Sequence, residues 1–229
     1  MDARRLPLWS GIAGTLLFTL IWLVEGGIRP GYDPMRSWIS ELALSGRGWI
    51  QIAGFLIGGA LITVFGRGLR AAFTDGPAAI WGPRAVTAAG LALFAAGLFV
   101  IDPGTYRPPG TVAGTTWHGV LHDIAGPVMF LSVAAAAVIY SRRFARLYGL
   151  VTGGLMIALW LAAGVLNGLD HAGVWSPAPA GLFQRLSVLT GFAYLAYLAC
   201  RALAASAPAA SAAYPATGDE ETTGGAVTR

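Results

Sequence analysis

The chain contains three histidines, and all of them fall at the same ends of a set of very apolar segments. His118 and His122 are four residues apart in WHGVLHD, so they share one face of a helix. Two imidazoles at this spacing can bind one zinc ion, and His171 follows another apolar segment toward the same side. Because ionisable side chains are costly within a bilayer, a polar cluster at one membrane face is a functional-site hypothesis. We therefore predict a Zn²⁺ site with His118, His122 and His171 as ligands.

Most carboxylates outside the termini share the side of the histidines. Asp102 and Glu41 are the candidate general bases, and Asp123 and Asp170 are candidates for orienting the metal ligands from outside the coordination shell. Arg185, near the start of the last apolar segment, is predicted to bind an anionic head group. A second interpretation stays open, because polar residues at helix ends also occur where they only snorkel or cap carbonyls.

The amino-acid composition indicates that this chain is embedded in a membrane. Of its 229 residues, 55% are hydrophobic and 11% are charged, against about a quarter charged in soluble domains. A bilayer core of about 30 Å needs about 20 apolar residues per helix. Six segments meet this need: roughly 8–25, 49–70, 84–101, 117–140, 147–168 and 182–204. The sequence predicts an all-α integral membrane bundle of six transmembrane helices over residues 1–204.

Arginines set the predicted orientation. Ten of the 15 arginines fall on the side of the termini and five on the side of the histidines. By the positive-inside rule, both termini are cytoplasmic and the histidines face outward, as in a multi-pass protein of the cell membrane. The net charge of +4 is spread over segment ends and not clustered on one face, so no nucleic-acid partner is expected. The tail, 205–229, is rich in Ala, Ser, Thr and Gly and is predicted to be disordered.

The first outer loop carries an additional helix signal. Asp33 followed by Pro34 is typical of a helix start. Met35, Trp38, Ile39 and Leu42 then recur at helical spacing. The sequence predicts a short amphipathic helix here, either on the outer interface or tucked into the mouth of the bundle.

Several runs resemble a known family. The segments RPGYDPMRSWISELALSGRGWIQIAGF, DPG after the third span and WHGVLHD are similar to the bacterial membrane family called domain of unknown function 998. This resemblance covers almost all of residues 8–204 and implies a six-helix membrane protein, with no assigned activity.

A more distant likeness is to the alkaline ceramidases and adiponectin receptors, whose zinc site uses a serine, an aspartate and three histidines. That likeness implies Ser37 or Ser40, with Asp102, as further site residues beside the three histidines. This chain departs from the pattern, because its HxxxH opens the fourth span and not the last.

Three functional hypotheses follow. The leading one is a metal-assisted hydrolase of a lipid or other amphiphile at the outer leaflet, in which zinc acidifies a bound water. The alternatives are a non-catalytic membrane sensor or scaffold, and a small-molecule transporter. Transporters place ionisable groups near the middle of the membrane, often in inverted repeats, and the sequence shows no such repeat.

Overall fold

The computed structural model describes residues 5–112 and 114–206, and this part of the chain is helical without strands. Six helices long and apolar enough to cross a membrane confirm the predicted fold class. They are α1 (Leu6–Ile28), α2 (Gly48–Ala72), α3 (Gly76–Leu98), α4 (Trp117–Ser141), α5 (Arg146–His171) and α6 (Ala180–Ala205), with a short 3-10 helix (Ile39–Ala43) between α1 and α2.

The six helices form a ring in which each packs against the next and α6 returns to α1. Glycines allow the closest approaches, as expected for helices that associate within a membrane. A Cβ atom on Gly59 of α2 would lie 2.5 Å from the backbone nitrogen of Phe94 on α3. Exposed tryptophans lie near both ends of the ring, among them Trp49 and Trp117 at one end and Trp9 and Trp81 at the other. This distribution is typical of the two membrane interfaces.

The connections α1–α2, α3–α4 and α5–α6 meet at one end of the bundle, which we call the site end; the other is the terminal end. All three histidines belong to the site end, as the sequence predicts. Cytoplasmic termini remain a prediction. The predicted disordered tail lies almost entirely outside the described residues, since the described chain ends at Ser206 just after α6.

Two elements differ from expectation in their bounds. Helix α3 begins at Gly76 and not near 84, because proline in its first turn is compatible with a helix start and Pro83 is tolerated inside. The loop helix begins at Ile39 and not at Asp33, whose carboxylate instead accepts a hydrogen bond from the Met35 N–H and closes a turn. Leu42 and Ile39 are buried, so the short helix is tucked into the bundle mouth.

Candidate functional site

Glu41 fastens the α3–α4 connection to the short 3-10 helix. Its fully buried carboxylate accepts hydrogen bonds of 2.8 and 3.1 Å from the Gly104 and Tyr106 N–H groups. The Trp38 N–H and the Thr105 hydroxyl donate to its other oxygen at 2.9 and 3.0 Å. Burial raises the pKa of Glu41, while these hydrogen bonds oppose the rise. We call this group the Glu41 cluster. With four donors around it, the predicted general base has no lone-pair direction left for a substrate.

Asp102 and two histidines connect α3 to α4. Asp102 accepts hydrogen bonds from the Thr116 N–H and hydroxyl at the start of α4. Burial alone would raise the pKa of Asp102, but the hydrogen bonds from Thr116 together with the nearby His118 and His122 keep it below its ordinary value. His118 Nδ1 lies 2.7 Å from the Val100 carbonyl oxygen, and His122 Nδ1 lies 2.8 Å from that of Phe99. The imidazoles therefore cap carbonyls that the end of α3 leaves without partners.

A carbonyl oxygen only accepts, so each of these rings carries a proton on Nδ1; in the neutral form of the ring, Nε2 is an acceptor. His171 makes a similar bond, 2.9 Å long, to the Asn167 carbonyl in its own helix. Metal-bound histidines often have such a bond, but their free nitrogens must converge. Over residues 5–112 and 114–206, no group of three or more His, Cys, Asp or Glu side chains is placed to hold a metal ion. The geometry thus gives the zinc prediction no support.

Arg185 is buried and holds the first loop in place. Its guanidinium donates to the Ser37 and Gly181 carbonyls at 2.9 and 3.0 Å and to the Tyr32 hydroxyl. It also lies over the rings of Trp22 and Tyr32. Desolvation raises the pKa of Tyr32 to about 12, against the opposing effect of the nearby Arg185 cation. These contacts give Arg185 a structural role and leave it unavailable at the surface where we predicted a head group.

Two ion pairs complete the framework of the site end. Asp170 forms a bidentate pair with Arg36, with both N–O distances 2.7 Å. Glu25 is buried between Arg29 and Arg47. Ser37 is also buried, and its hydroxyl lies 3.0 Å from that of Thr105. Because the Thr105 proton is donated to Glu41, the Ser37 hydroxyl is the donor of this pair. Most polar residues predicted to be catalytic are therefore occupied in joining loops to helices.

A cavity of about 640 Å³ lies between α4 and α5, beneath the short 3-10 helix. Its polar wall contains two of the predicted site residues on α4, His122 and Asp123, together with Ser40 from the loop helix. Leu161 and Val165 line it from α5 and are exposed on the lateral surface of the bundle, so the cavity opens toward the bilayer. The remaining lining residues are Trp38, Ile101, Gly126, Pro127, Phe130, Trp160, Gly164, Asn167 and Gln184.

A narrow apolar cavity of about 50 Å³ adjoins this one toward the bundle interior, where it is lined by Phe18, Phe55 and Met129. Ser40, His122, Gly126, Phe130 and Gln184 line both spaces.

Hydrogen-bond acceptors without protein partners distinguish this cavity. Among the described residues, the exposed Asp123 carboxylate has neither a hydrogen bond nor an ion pair, and Asn167 Oδ1 is buried without a donor. Pro127 has no N–H, so the Asp123 carbonyl also lacks its usual intrahelical donor. Asp123 lies about 9 Å along α4 from its first residue, Trp117. No arginine within the described part of the chain lines the cavity.

Glycines give the cavity its width. A Cβ atom at Gly126 or Gly164 would meet no atom within 4 Å, whereas at Gly59 or Gly90 it would clash with backbone. Sequence reasoning missed Gly164, Asn167 and Gln184. Asn167 and Gln184 are recognisable as neutral polar residues within or beside apolar spans, but nothing in the sequence shows that they line the same cavity.

The fold and the loop-covered site end define a multi-pass, all-helical membrane protein. The family described as protein of unknown function (DUF998) matches residues 12–201, and the chain belongs to this family. Comparisons with curated proteins and with solved structures found no match.

Proposed function

We propose that the protein binds an amphiphile in the α4–α5 cavity and that this ligand enters the cavity from the bilayer. The proposal depends mainly on one observation: a laterally open cavity with unpartnered acceptors on its wall. Its volume of about 640 Å³ lies within the range of about 300–1,000 Å³ typical of small-molecule sites. The apolar part of the ligand would pack along Leu161, Val165 and Trp160, where the cavity meets lipid.

The cavity wall also selects the head group. The Asp123 carboxylate is exposed and accepts no hydrogen bond from a described residue, and no arginine among the described residues lines the cavity to hold an anion. A head group with N–H or O–H donors, above all an amine, satisfies this carboxylate, and an ammonium group would also pair with it. An anionic head group would be repelled by Asp123. The proposal therefore replaces the anionic head group expected for Arg185 with a donor-rich one.

Three probes with the same chain and different head groups test this proposal: dodecylamine, dodecanol and dodecanoate. Binding of each tritiated probe is measured on the full chain in nanodiscs of neutral lipid, with empty nanodiscs as background. We expect affinity to fall in the order amine, alcohol, acid. The proposal would be overturned if nanodiscs that contain the protein retained no more of any probe than empty nanodiscs do, or if dodecanoate bound most tightly.

A matched pair of glycine variants locates the bound probe. Gly164→Leu places a side chain into open space within the cavity, while Gly154→Leu adds the same side chain to an open position on the same helix outside it. The first variant should lose specific dodecylamine binding and the second should keep it. If both variants bind like the wild-type protein, the ligand lies elsewhere.

Metal-assisted hydrolysis of the amphiphile is the finer prediction from the sequence, and we do not carry it into this proposal because the described residues do not gather its zinc ligands. Metal analysis of the purified protein provides the direct test. One equivalent of zinc that disappears in His118→Ala would restore the hydrolase hypothesis.

Transport is the second candidate, and the free Asp123 carboxylate below the interface favours it. A carrier would release the bound amine on the opposite side of the bilayer, so dodecylamine should cross proteoliposomes faster than protein-free liposomes. Asp123→Asn should abolish the additional flux. If dodecylamine binds without any additional flux, the protein binds the amphiphile but does not transport it, and the transport hypothesis is excluded.

A further inference from the structure

A second cavity, separate from the one between α4 and α5, opens at the site end. It has a volume of about 270 Å³ and is lined by Arg36, Gly104, Thr105, Arg107, Asp170 and His171. We call it the arginine depression. Among the described residues, its lining combines two arginines from different parts of the chain and one histidine with a single acid, Asp170.

The acid in this depression is fully engaged. Asp170 accepts from Arg36 through two bonds of 2.7 Å, from the Ser176 hydroxyl at 2.8 Å and from the Ala178 N–H at 3.1 Å. A carboxylate has about four lone-pair directions, and these four donors occupy them. Asp170 therefore offsets the charge of Arg36 and has no acceptor left for Arg107.

Donors are in excess around the depression. Arg107 is exposed, and only its Nε is engaged, with the Gly104 carbonyl at 3.0 Å. Its two terminal nitrogens have no acceptor among the described residues, and the same holds for Nη1 of Arg36. The neighbouring Thr105 hydroxyl already donates to the Glu41 cluster. What the depression lacks is an acceptor with negative charge.

We infer that the arginine depression binds a phosphate-class oxyanion. The planar guanidinium of Arg107 offers two parallel N–H groups to two oxygens of one phosphate, a geometry that gives both energy and direction. Arg36 supplies a further N–H donor through its free Nη1. The oxyanion is either free in solution or part of a lipid head group, since the depression lies at the end of the bundle, where both are accessible.

Inorganic phosphate and dihexanoyl phosphatidic acid are the probes. Each is titrated by calorimetry at constant ionic strength into the full chain, held in micelles of an uncharged, phosphate-free detergent. Arg107→Gln removes the guanidinium at an exposed position, and Arg142→Gln removes an exposed arginine at the terminal end as the matched control. Unchanged thermal unfolding of both variants verifies that they are folded.

We expect Arg107→Gln to raise the dissociation constant about tenfold, the loss of one charge-assisted pair, and Arg142→Gln to leave it unaltered. If binding of inorganic phosphate is weakened by Arg107→Gln and not by Arg142→Gln, the depression is a site for free oxyanions. If only binding of the short-chain lipid responds in this way, the depression is a site for a lipid head group. Neither probe binding, or equal binding by Arg107→Gln and the wild-type protein, overturns the inference. The result is independent of the amphiphile proposal, since Gly164→Leu leaves this depression unaltered.

Discussion

The Glu41 cluster and the α4–α5 cavity both lie at the site end, but they treat their polar groups in opposite ways. In the cluster, four donors surround one buried carboxylate. In the cavity, the exposed Asp123 carboxylate has no protein donor among the described residues, and Asn167 Oδ1 is buried without one. Because buried polar groups are usually paired, the four donors around Glu41 are accounted for by a structural role. The Asp123 carboxylate is instead free to bind a group from outside the protein.

The largest effect should come from breaking the cluster. Glu41→Ala leaves the Trp38, Gly104 and Tyr106 N–H groups without an acceptor, so the free energy of unfolding should fall by about 3–4 kcal/mol. Unfolding in detergent, monitored by circular dichroism, measures the loss. Asp123→Ala removes a carboxylate with no partner and should change stability by less than about 1 kcal/mol. Equal losses in both variants would erase the distinction between the two regions.

Arg185 provides the next largest effect. Arg185→Leu leaves the Ser37 and Gly181 carbonyls and the Tyr32 hydroxyl without their donor, at a cost of about 2 kcal/mol. Arg142→Leu, at an exposed position, should stay within about 0.5 kcal/mol of the wild-type protein. Should Arg185→Leu unfold like the wild-type protein and lose ligand binding instead, the guanidinium would belong to a binding site after all.

The pH dependence of stability is a smaller effect. Burial raises the pKa of Glu41 above its ordinary value of 4.5, so the folded state binds this proton more tightly than the unfolded state. The resulting stabilisation is fully present below pH 4.5 and is lost as the pH rises through the folded-state pKa. Glu41→Gln does not titrate. The stability of the wild-type protein relative to this variant should therefore increase as the pH is lowered from neutral toward 4.5. A constant difference over this range would contradict the prediction.

Sequence reasoning found the spans and the side of the polar residues, because apolar length and charge asymmetry are local properties. It placed His118 and His122 correctly on one helix face. It could not show what each polar group faces. The Glu41 oxygens bind N–H groups more than 60 residues away, and His122 caps α3 across a helix interface. Whether a carboxylate accepts hydrogen bonds from several donors, as Glu41 does, or from none, as at Asp123, depends on which distant segments pack against it in the tertiary structure.

The most direct test of the central claim compares two head groups on one variant. Asp123→Asn keeps the size of the side chain and removes its charge, so dodecylamine should bind about tenfold more weakly while dodecanol binding changes little. Retention of both probes on nanodiscs provides the measurement. Unchanged dodecylamine affinity in Asp123→Asn, or an equal loss for both probes, would contradict the claim that the free carboxylate in the α4–α5 cavity recognises the ligand.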